Sequence, residues 1–480
     1  MTVGIAATKD KSILCRLHYK KARTSTELSA LSEVFAALKD ASILGGNRAK
    51  ADADRFSYWA SGAKEVFEFR AGQKQPFEKL QYILNKYKLD EALDNDLPKG
   101  IFRGGWVGFF SYELGRYIEK LPETTIDDLN MPLIRLCFYD KLMCYDHIEK
   151  VFRLIVLELP NDTESPEEKL ASLERLSTKA EKTCVAQPTP ADIEAIDFSQ
   201  IGCNMNKDYY LQAVEKIKRY IYDGDVYQVN FSQRFESEYN APSIDLFHWQ
   251  NRFNPSGYAG YIDAGNFAVV STSPEMFITL TDGIISTKPI KGTRPRLKED
   301  SEKKHMTNAK KIDELVNCSK EQAELNMITD LERNDLARIC KPGTRKVTQP
   351  RTIESYPTVF HAVSTVVGEL KEKVSFCDIL KAMFPGGSIT GAPKISAMEI
   401  IDETEPTARS VYTGSIGFIG VDGNVCLNIA IRTIIIKGQK AFAQTGGGIV
   451  VDSDPEGEWK ETLTKARALL AGIKAVHDNK

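Results

Sequence analysis

The spacing of apolar and polar residues changes period repeatedly along the chain, and each change marks an element. SYWASGAKEVFEFRAG, LIRLCFYDKLMCYD and VFRLIVLEL are short runs rich in aromatic and β-branched residues and read as strands. Between the first two, PFEKLQYILNKYKLDEAL carries apolar residues at helical spacing. Residues 161–206 are the most polar part of the sequence, a charged helical pattern followed by the loop-like QPTPAD. They divide the chain into an N-terminal region of residues 1–160, a polar linker of 161–206, and a C-terminal region of 207–480.

The C-terminal region opens with DYYLQAVEKIKRYIYDGD, an amphipathic helix that stops at Asp223-Gly224. Two β-meanders frame the remainder of the region. In the first, FAVVSTSPEMFITL and IISTKPIKGT flank the turn Thr281-Asp282-Gly283; the second is built around Asp422-Gly423 and Gly438, with IAIRTIII as one strand. Helices lie between them, one opening at Ser319 with Gln322 three residues on, a capping-box pattern. Strands grouped in hairpins, rather than alternating singly with helices, predict an antiparallel α+β fold.

Composition narrows the function classes. A chain of 480 residues with 42% hydrophobic content can bury a substantial core. Its 63 lysines and arginines against 66 acids leave a formal charge of −3, so no whole-chain field draws it to nucleic acid or to an anionic membrane. Nine scattered cysteines without a CxxC pair argue against both a disulfide framework and a zinc site, and fit a reducing cytosol. The N-terminus has no export signal, and no apolar run is long enough to cross a bilayer, so a cytoplasmic location is expected.

Several constellations could carry chemistry. If the Asp282-Gly283 turn closes a simple hairpin, Glu275 lies opposite Pro289 or Ile290, within about one ladder step of Lys291. Two ExxE pairs, Glu321 with Glu324 and Glu458 with Glu461, each put both carboxylates on one helical face, and four such oxygen donors suit Mg²⁺. Solvated helix charges would show the same spacing. GGSITGAPKIS is not a P-loop, because Ala392 and Pro393 separate Gly391 from Lys394. Pro393 instead reads as the first residue of a helix. Arg432 is a lone charge within an apolar strand pattern, which costs free energy unless it meets a partner or an anionic ligand. Taken alone, His361 reads as a satisfied core histidine.

The order of these features resembles one family. From residue 208 to about 471, GDVYQVNFSQRF, STSPEMF, PIKGTRPR, AELNMITDLERNDLARIC, YPTVFHAVSTVVGEL, FPGGSITGAPKISAMEIIDETEP, RSVYTGSIGFIG, NIAIRTI and TGGGIVVDSDPEGEWKET resemble the chorismate-utilising enzymes, which include component I of anthranilate synthase, component I of aminodeoxychorismate synthase, and the isochorismate and salicylate synthases. DRFSYWAS and GGWVGFFSYELGRYIEKLP resemble the family's N-terminal region more loosely. The resemblance implies one α+β body, two antiparallel sheets in a sandwich with helices outside, and makes 207–480 the chorismate-binding catalytic region. It implies that Glu324 and Glu461 ligate Mg²⁺, with Glu321 and Glu458 beside them. It further implies that Gly292, Thr293, Tyr412, Arg432 and the run Gly446, Gly447 and Gly448 contact chorismate, that Thr390 and Lys465 line the same pocket, that Glu275 is a general acid, and that His361 stands near the reacting ring.

Two positions distinguish the branches of the family. Isochorismate and salicylate synthases resemble one another in carrying a lysine base where GDVYQVNFS has Gln228, and a neutral amide cannot take that proton from water. Anthranilate synthases usually read PIAGT and aminodeoxychorismate synthases PIKGT, as at residues 289–293 here. The resemblance therefore implies attack of Lys291 on C2 of chorismate and amination at C4, with anthranilate formation as the alternative. The sequence shows no convincing glutaminase segment. The resemblance implies a separate glutaminase subunit that delivers ammonia, and a later lyase that releases pyruvate to leave 4-aminobenzoate for folate. Where many tryptophan-binding relatives carry an LLES-like segment, this chain reads SILGGN, while NPSGYAG keeps part of a second segment of that pocket. This counts against tryptophan binding.

Overall fold

The computed structural model describes residues 12–22, 25–46, 55–90, 96–297, 301–356 and 359–478. The extreme N-terminus and the last three residues of the predicted helix over 76–93 lie outside them. Among the described residues two large sheets form, one of thirteen strands and one of ten. Nearly all of the pairing is antiparallel; Ile13–Ala22 with Tyr87–Leu89 is parallel.

Both sheets draw strands from both ends of the chain. The larger runs from Gln228–Glu238 through Lys440–Ile449, Thr433–Lys437, Phe267–Ser273 and Tyr258–Asp263 to Ser42–Leu44, Phe56–Ala60, Lys141–Asp146, Val151–Glu158 and Ile13–Ala22. The smaller joins Ile290–Pro295, Val359–Glu369, Ile284–Lys288, Met276–Thr281, Val425–Asn428 and Ser415–Gly420 to Gly105–Phe110, Ile134–Tyr139 and Glu65–Phe69. Tyr58, Val269 and Ile435 of the first sheet pack against Val107, Phe109 and Phe418 of the second in one buried cluster, the interior of the sandwich. The apolar run at residues 434–436 follows from this burial. Ile435 faces the interior, while Ile434 and Ile436 face the helices Leu28–Ala36, Ser243–Phe253 and Pro455–Asp478 on the other side. A strand buried on both faces needs no polar alternation.

Several predicted elements shift when the pairing is known. The helix at Pro76 ends at Lys86, because Tyr87–Leu89 pairs with Ile13–Cys15 as a short strand. Ser319 does not cap its helix: Glu302–Asn317 ends just before it, Cys318 is the cap residue, and no side chain bonds the free amides. Pro393 is the cap rather than the first helical residue, because Gly391 and Ala392 are held extended against Gln228 and Val229 and the helix begins at Lys394. Arg432 is not in a strand at all. The chain leaves the second sheet at Asn428, passes through a left-handed turn at Arg432 (φ 49°), and enters the first sheet at Thr433. The helix Lys207–Asp223 does stop at Gly224, in the left-handed conformation that favours glycine.

The polar segment contributes the helix Pro166–Glu181, started by a capping box between Ser165 and Glu168. Its Lys169 is fully buried, donates to the Leu157 carbonyl at 2.7 Å, and forms ion pairs with Asp140 (2.6 Å) and Asp162. Lys169→Ala would leave two carboxylates, nearly out of water, with one cation between them, Lys64 at 3.4 Å from Asp140 and 3.0 Å from Asp162. We expect it to lower stability in urea denaturation by about 3–5 kcal/mol; a loss below about 1 kcal/mol would show that this cluster does not fix the helix to the sheet.

Candidate active site

Two of the chain's crossings from one sheet to the other are neighbours, at residues 273–276 and 428–433, and the predicted site residues gather around them. Asn428 pairs with Met276, and the Ile429 amide donates to the Glu275 carbonyl at 3.0 Å. Glu275 sits in the first crossing and Arg432 in the second. Neither residue spends its backbone on a regular ladder, so each side chain is placed by the crossing itself.

The hairpin predicted around Asp282-Gly283 forms, with Met276 opposite Lys288 and a bulge between Met276 and Thr279. Glu275 accordingly reaches the next strand segment: its Oε1 accepts a hydrogen bond from the Ile290 amide at 3.4 Å. Lys291 follows directly, and its Nζ donates to the Ser388 carbonyl at 3.3 Å. The Ser388 hydroxyl stands beside the Glu275 carboxyl, so one serine touches both groups. Burial pushes the Glu275 pKa up, against smaller opposing effects of Ser388, the Lys291 charge and the Ile290 amide. Burial pushes the Lys291 pKa down, against the nearby carboxylates of Glu324, Glu275 and Glu461. Both shifts favour the uncharged forms, an acid that can donate and an amine with a free lone pair.

The other predicted residues fall around this pair. Thr293 is the direct cross-strand neighbour of His361, and its hydroxyl bonds the His361 Nδ1 at 2.8 Å. Tyr356 packs edge-on against the same ring. Gly292 adopts φ 90°, and a Cβ there would lie 2.8 Å from Leu315 and 3.0 Å from the Glu321 carboxylate, so glycine lets the strand pass close to the helices Glu302–Asn317 and Ser319–Ile339. Gly446, Gly447 and Gly448 pair with Ser232, Phe231 and Asn230. A Cβ on Gly448 would meet the Gln228 amide at 2.0 Å, which brings Gln228 to the glycine run as well. Gln228 is buried, and its Oε1 has no hydrogen-bond partner. Lys465 donates to the Gly446 carbonyl at 2.9 Å and pairs with Glu461 at 2.7 Å. Thr390 is fully buried and bonds the Gly386 carbonyl at 2.9 Å. Tyr412 is buried beside Arg409, which burial and Glu405 hold in place. Arg432 loses water without an acidic partner, and burial lowers its pKa. A desolvated guanidinium of this kind suits an anionic ligand.

The two ExxE pairs come from different helices, Ser319–Ile339 and Pro455–Asp478, and one carboxylate of each, Glu324 and Glu461, is close enough to act on the Lys291 charge. Glu321 is held by Arg294 at 2.7 Å through Oε1, while its buried Oε2 lacks a hydrogen-bond partner. Burial and the adjacent Glu461 push Glu458 up, whereas Lys465 holds Glu461 down. Among the described residues no three acidic, histidine or cysteine side chains are grouped tightly enough to ligate a metal. The donor set nevertheless fits a hard divalent cation in kind: carboxylate oxygens, one of them orphaned and two repelling each other. Lys394, the would-be phosphate lysine, is engaged with Asp335 at 2.5 Å, in keeping with the absence of a P-loop. Sequence reading does not single out Ser388; the only signal is a small hydroxyl between the paired glycines and Thr390.

A separate cavity of about 250 Å³ lies inside the sandwich. SILGGN and NPSGYAG both reach it, through Leu44, Gly45 and Tyr258, beside Tyr58, Phe418 and Asn428. All nine cysteines are free, and no helix among the described residues is long and apolar enough to cross a membrane.

A two-sheet sandwich with an acid, an amine and a desolvated arginine at the crossings between its sheets defines a class of small-anion enzyme, and the comparisons say which. The family model described as chorismate binding enzyme matches residues 47–471, and the chain belongs to that family. The chain is 40% identical over 386 residues to aminodeoxychorismate synthase component 1 of Bacillus subtilis, covering 80% of each. It is 36% identical over 407 residues to anthranilate synthase component 1 of Aquifex aeolicus, covering 85% of this chain and 81% of the relative. The crystal structure of anthranilate synthase component I from Streptococcus pneumoniae superposes with a TM-score of 0.75 at 28% identity, covering 94% of this chain and all of that one.

The electrostatics can be checked without turnover. In competitive acylation across a pH series, followed by peptide mass spectrometry, Lys291 should titrate below the ordinary lysine value, reacting at pH values where surface lysines are still protected. A midpoint at or above that value would mean that Glu324, Glu275 and Glu461 outweigh burial.

Proposed function

We propose that this chain aminates chorismate at C4, giving 4-amino-4-deoxychorismate for 4-aminobenzoate and folate synthesis. The observation that carries the reading is the convergence of Lys291 and Glu275 on Ser388, both shifted toward their neutral forms. The Lys291 amine forms a bond to C2 as the ring double bonds shift, and the C4–O bond breaks as Glu275 protonates the departing hydroxyl to water. Ammonia then bonds to C4, the double bonds shift back, and the C2–N bond breaks to free Lys291. Arg432, Tyr412, Thr293 and the Gly446–Gly448 backbone hold the substrate's carboxylates and ring, Thr390 and Lys465 complete the wall, and His361, fixed by Thr293, faces the ring. Mg²⁺, where bound, would be held by Glu324 and Glu461 with Glu321 and Glu458, and would supply positive charge to a substrate carboxylate. Ammonia comes from a separate glutaminase subunit, a reading supported by the component 1 names of the relatives. A lyase acts on the product, and the chain works in the cytoplasm.

The second reading is anthranilate formation, favoured by the similar identity to the Aquifex aeolicus relative. It differs in the position aminated and in the release of pyruvate. Purified chain with chorismate, Mg²⁺ and an ammonium salt should yield an amine that retains the enolpyruvyl group, identified by mass spectrometry; anthranilate with pyruvate would overturn the C4 assignment. Lys291→Ala should abolish a covalent adduct of chorismate less water in the intact mass, and leave any residual turnover to direct amination at C2. Glu275→Gln should lower kcat by about 10²–10⁴-fold. An unchanged rate and product in Lys291→Ala would sink the covalent step.

A further inference from the structure

One buried acid beneath the site has no part in the reaction as written. Glu332 lies on the helix Ser319–Ile339, eight residues after Glu324, and is 3% exposed. Its Oε1 accepts from the Gly387 amide at 3.1 Å, and its Oε2 accepts from the Thr287 hydroxyl at 3.4 Å. Both partners are buried, and each lies on a segment that holds the reacting pair. Gly387 precedes Ser388, whose carbonyl takes the Lys291 amine and whose hydroxyl stands beside Glu275. Thr287 lies near the end of the strand Ile284–Lys288, four residues before Lys291. Between Lys288 and Ile290 the ladder is interrupted at Pro289, which has no amide hydrogen to contribute. The segment that carries Lys291 is therefore less firmly tied by its own sheet than a regular strand would be, and the Gly386-Gly387 turn has no side chains of its own to fix it.

We infer that Glu332 is a positioning residue for the Lys291–Glu275 pair, clamping from beneath the Thr287 strand and the Gly387–Ser388 turn that hold the amine and the acid against each other. The inference rests on the reading of Lys291 and Glu275 as the reacting groups. The bonds require a forked side chain of this length, since a shorter one would leave the Gly387 amide buried without an acceptor. They do not require a charge. Burial, reinforced by the neighbouring Asp335 carboxylate, pushes the Glu332 pKa up, so a carboxamide copies a form the acid itself takes on.

The variants Glu332→Ala, Glu332→Gln and Thr287→Val separate the clamp from a merely structural role, with chorismate consumption measured alongside product identity and the melting temperature. Glu332→Ala should lower kcat by about 10–100-fold while KM for chorismate changes by less than about 3-fold, because misplacement of reacting groups costs rate rather than uniform binding. Glu332→Gln should return kcat to within about 3-fold of the parent. Thr287→Val, nearly isosteric, should show a smaller loss in the same direction and remains informative if Glu332→Ala does not fold. Wild-type kcat in both Glu332→Ala and Thr287→Val would overturn the inference, as would Glu332→Gln as poor as the alanine variant, or a loss confined to KM. Because the ratios are read from chorismate consumed, a wild-type product of anthranilate would overturn the C4 assignment while leaving the clamp tested.

Discussion

The molecule depends on two of the chain's passages between sheets falling at adjacent points. A strand in a sandwich gives its amides to the ladder and its side chains to one face or the other; a segment passing between sheets does neither. At residues 273–276 and 428–433 the two passages brace each other, through the Ile429 amide on the Glu275 carbonyl and the Ser273 hydroxyl on the Ile429 carbonyl at 2.5 Å. Their side chains are left to point where no ladder dictates, and there the fold holds Glu275 and Arg432. The strands on either side supply rigidity, and the crossings supply chemistry.

Burial then acts on every ionisable group that the crossings collect. An isolated carboxylate or ammonium out of water costs several kcal/mol, and the group either finds a counter-charge or gives up its own. Arg409 takes the first course, bound by Glu405 through both nitrogen positions and capped by Tyr112. Glu275 and Lys291 are pushed toward the second, because the acids that face Lys291 are spread over two helices and a crossing rather than joined to it by an ion pair. Arg432 can take neither, since a guanidinium does not release its proton at physiological pH. It waits for an anion. The contrast between Arg409, fully buried and paired with an acid, and Arg432, part-buried and without one, separates a residue that holds the fold from one that is available to an anion.

How much of this the sequence reveals depends on what each signal encodes. The α+β class, the strands at 56–60, 134–139 and 151–158, and the stop at Gly224 are written in local periodicity and turn residues, and they stand. Glu275 and Lys291 are brought together by a hairpin whose turn is visible in Asp282-Gly283, although the bulge after Met276 is not. The misplaced elements share a cause. Local pattern sets Arg432 in a strand, Pro393 at a first helical position and Tyr87–Leu89 in a helix, whereas each is decided by a partner far away in sequence. Ser388 and Glu332 leave no local mark, since a serine in a glycine-rich turn and an acid on a charged helix are ordinary. Their importance is a matter of what the turn and the helix face after folding.

The same logic bears on the choice between branches of the family. On the proposed reading, much of what meets the substrate is backbone: three glycines in a row, a glycine at φ 90°, and carbonyls that receive Lys291 and Lys465. Backbone recognises the outline of a substrate but does not choose which ring carbon reacts. That choice falls to the few side chains with mobile protons or lone pairs. Gln228, against Gly448, has neither a proton to take up nor a charge to lend, so water gains no base on that side. Lys291 stands elsewhere in the site, part-buried near an acid whose pKa burial raises. On the proposed reading, the site is therefore turned to amination at C4 by one amine, pushed toward its neutral form by burial and aimed by a serine that also touches the acid.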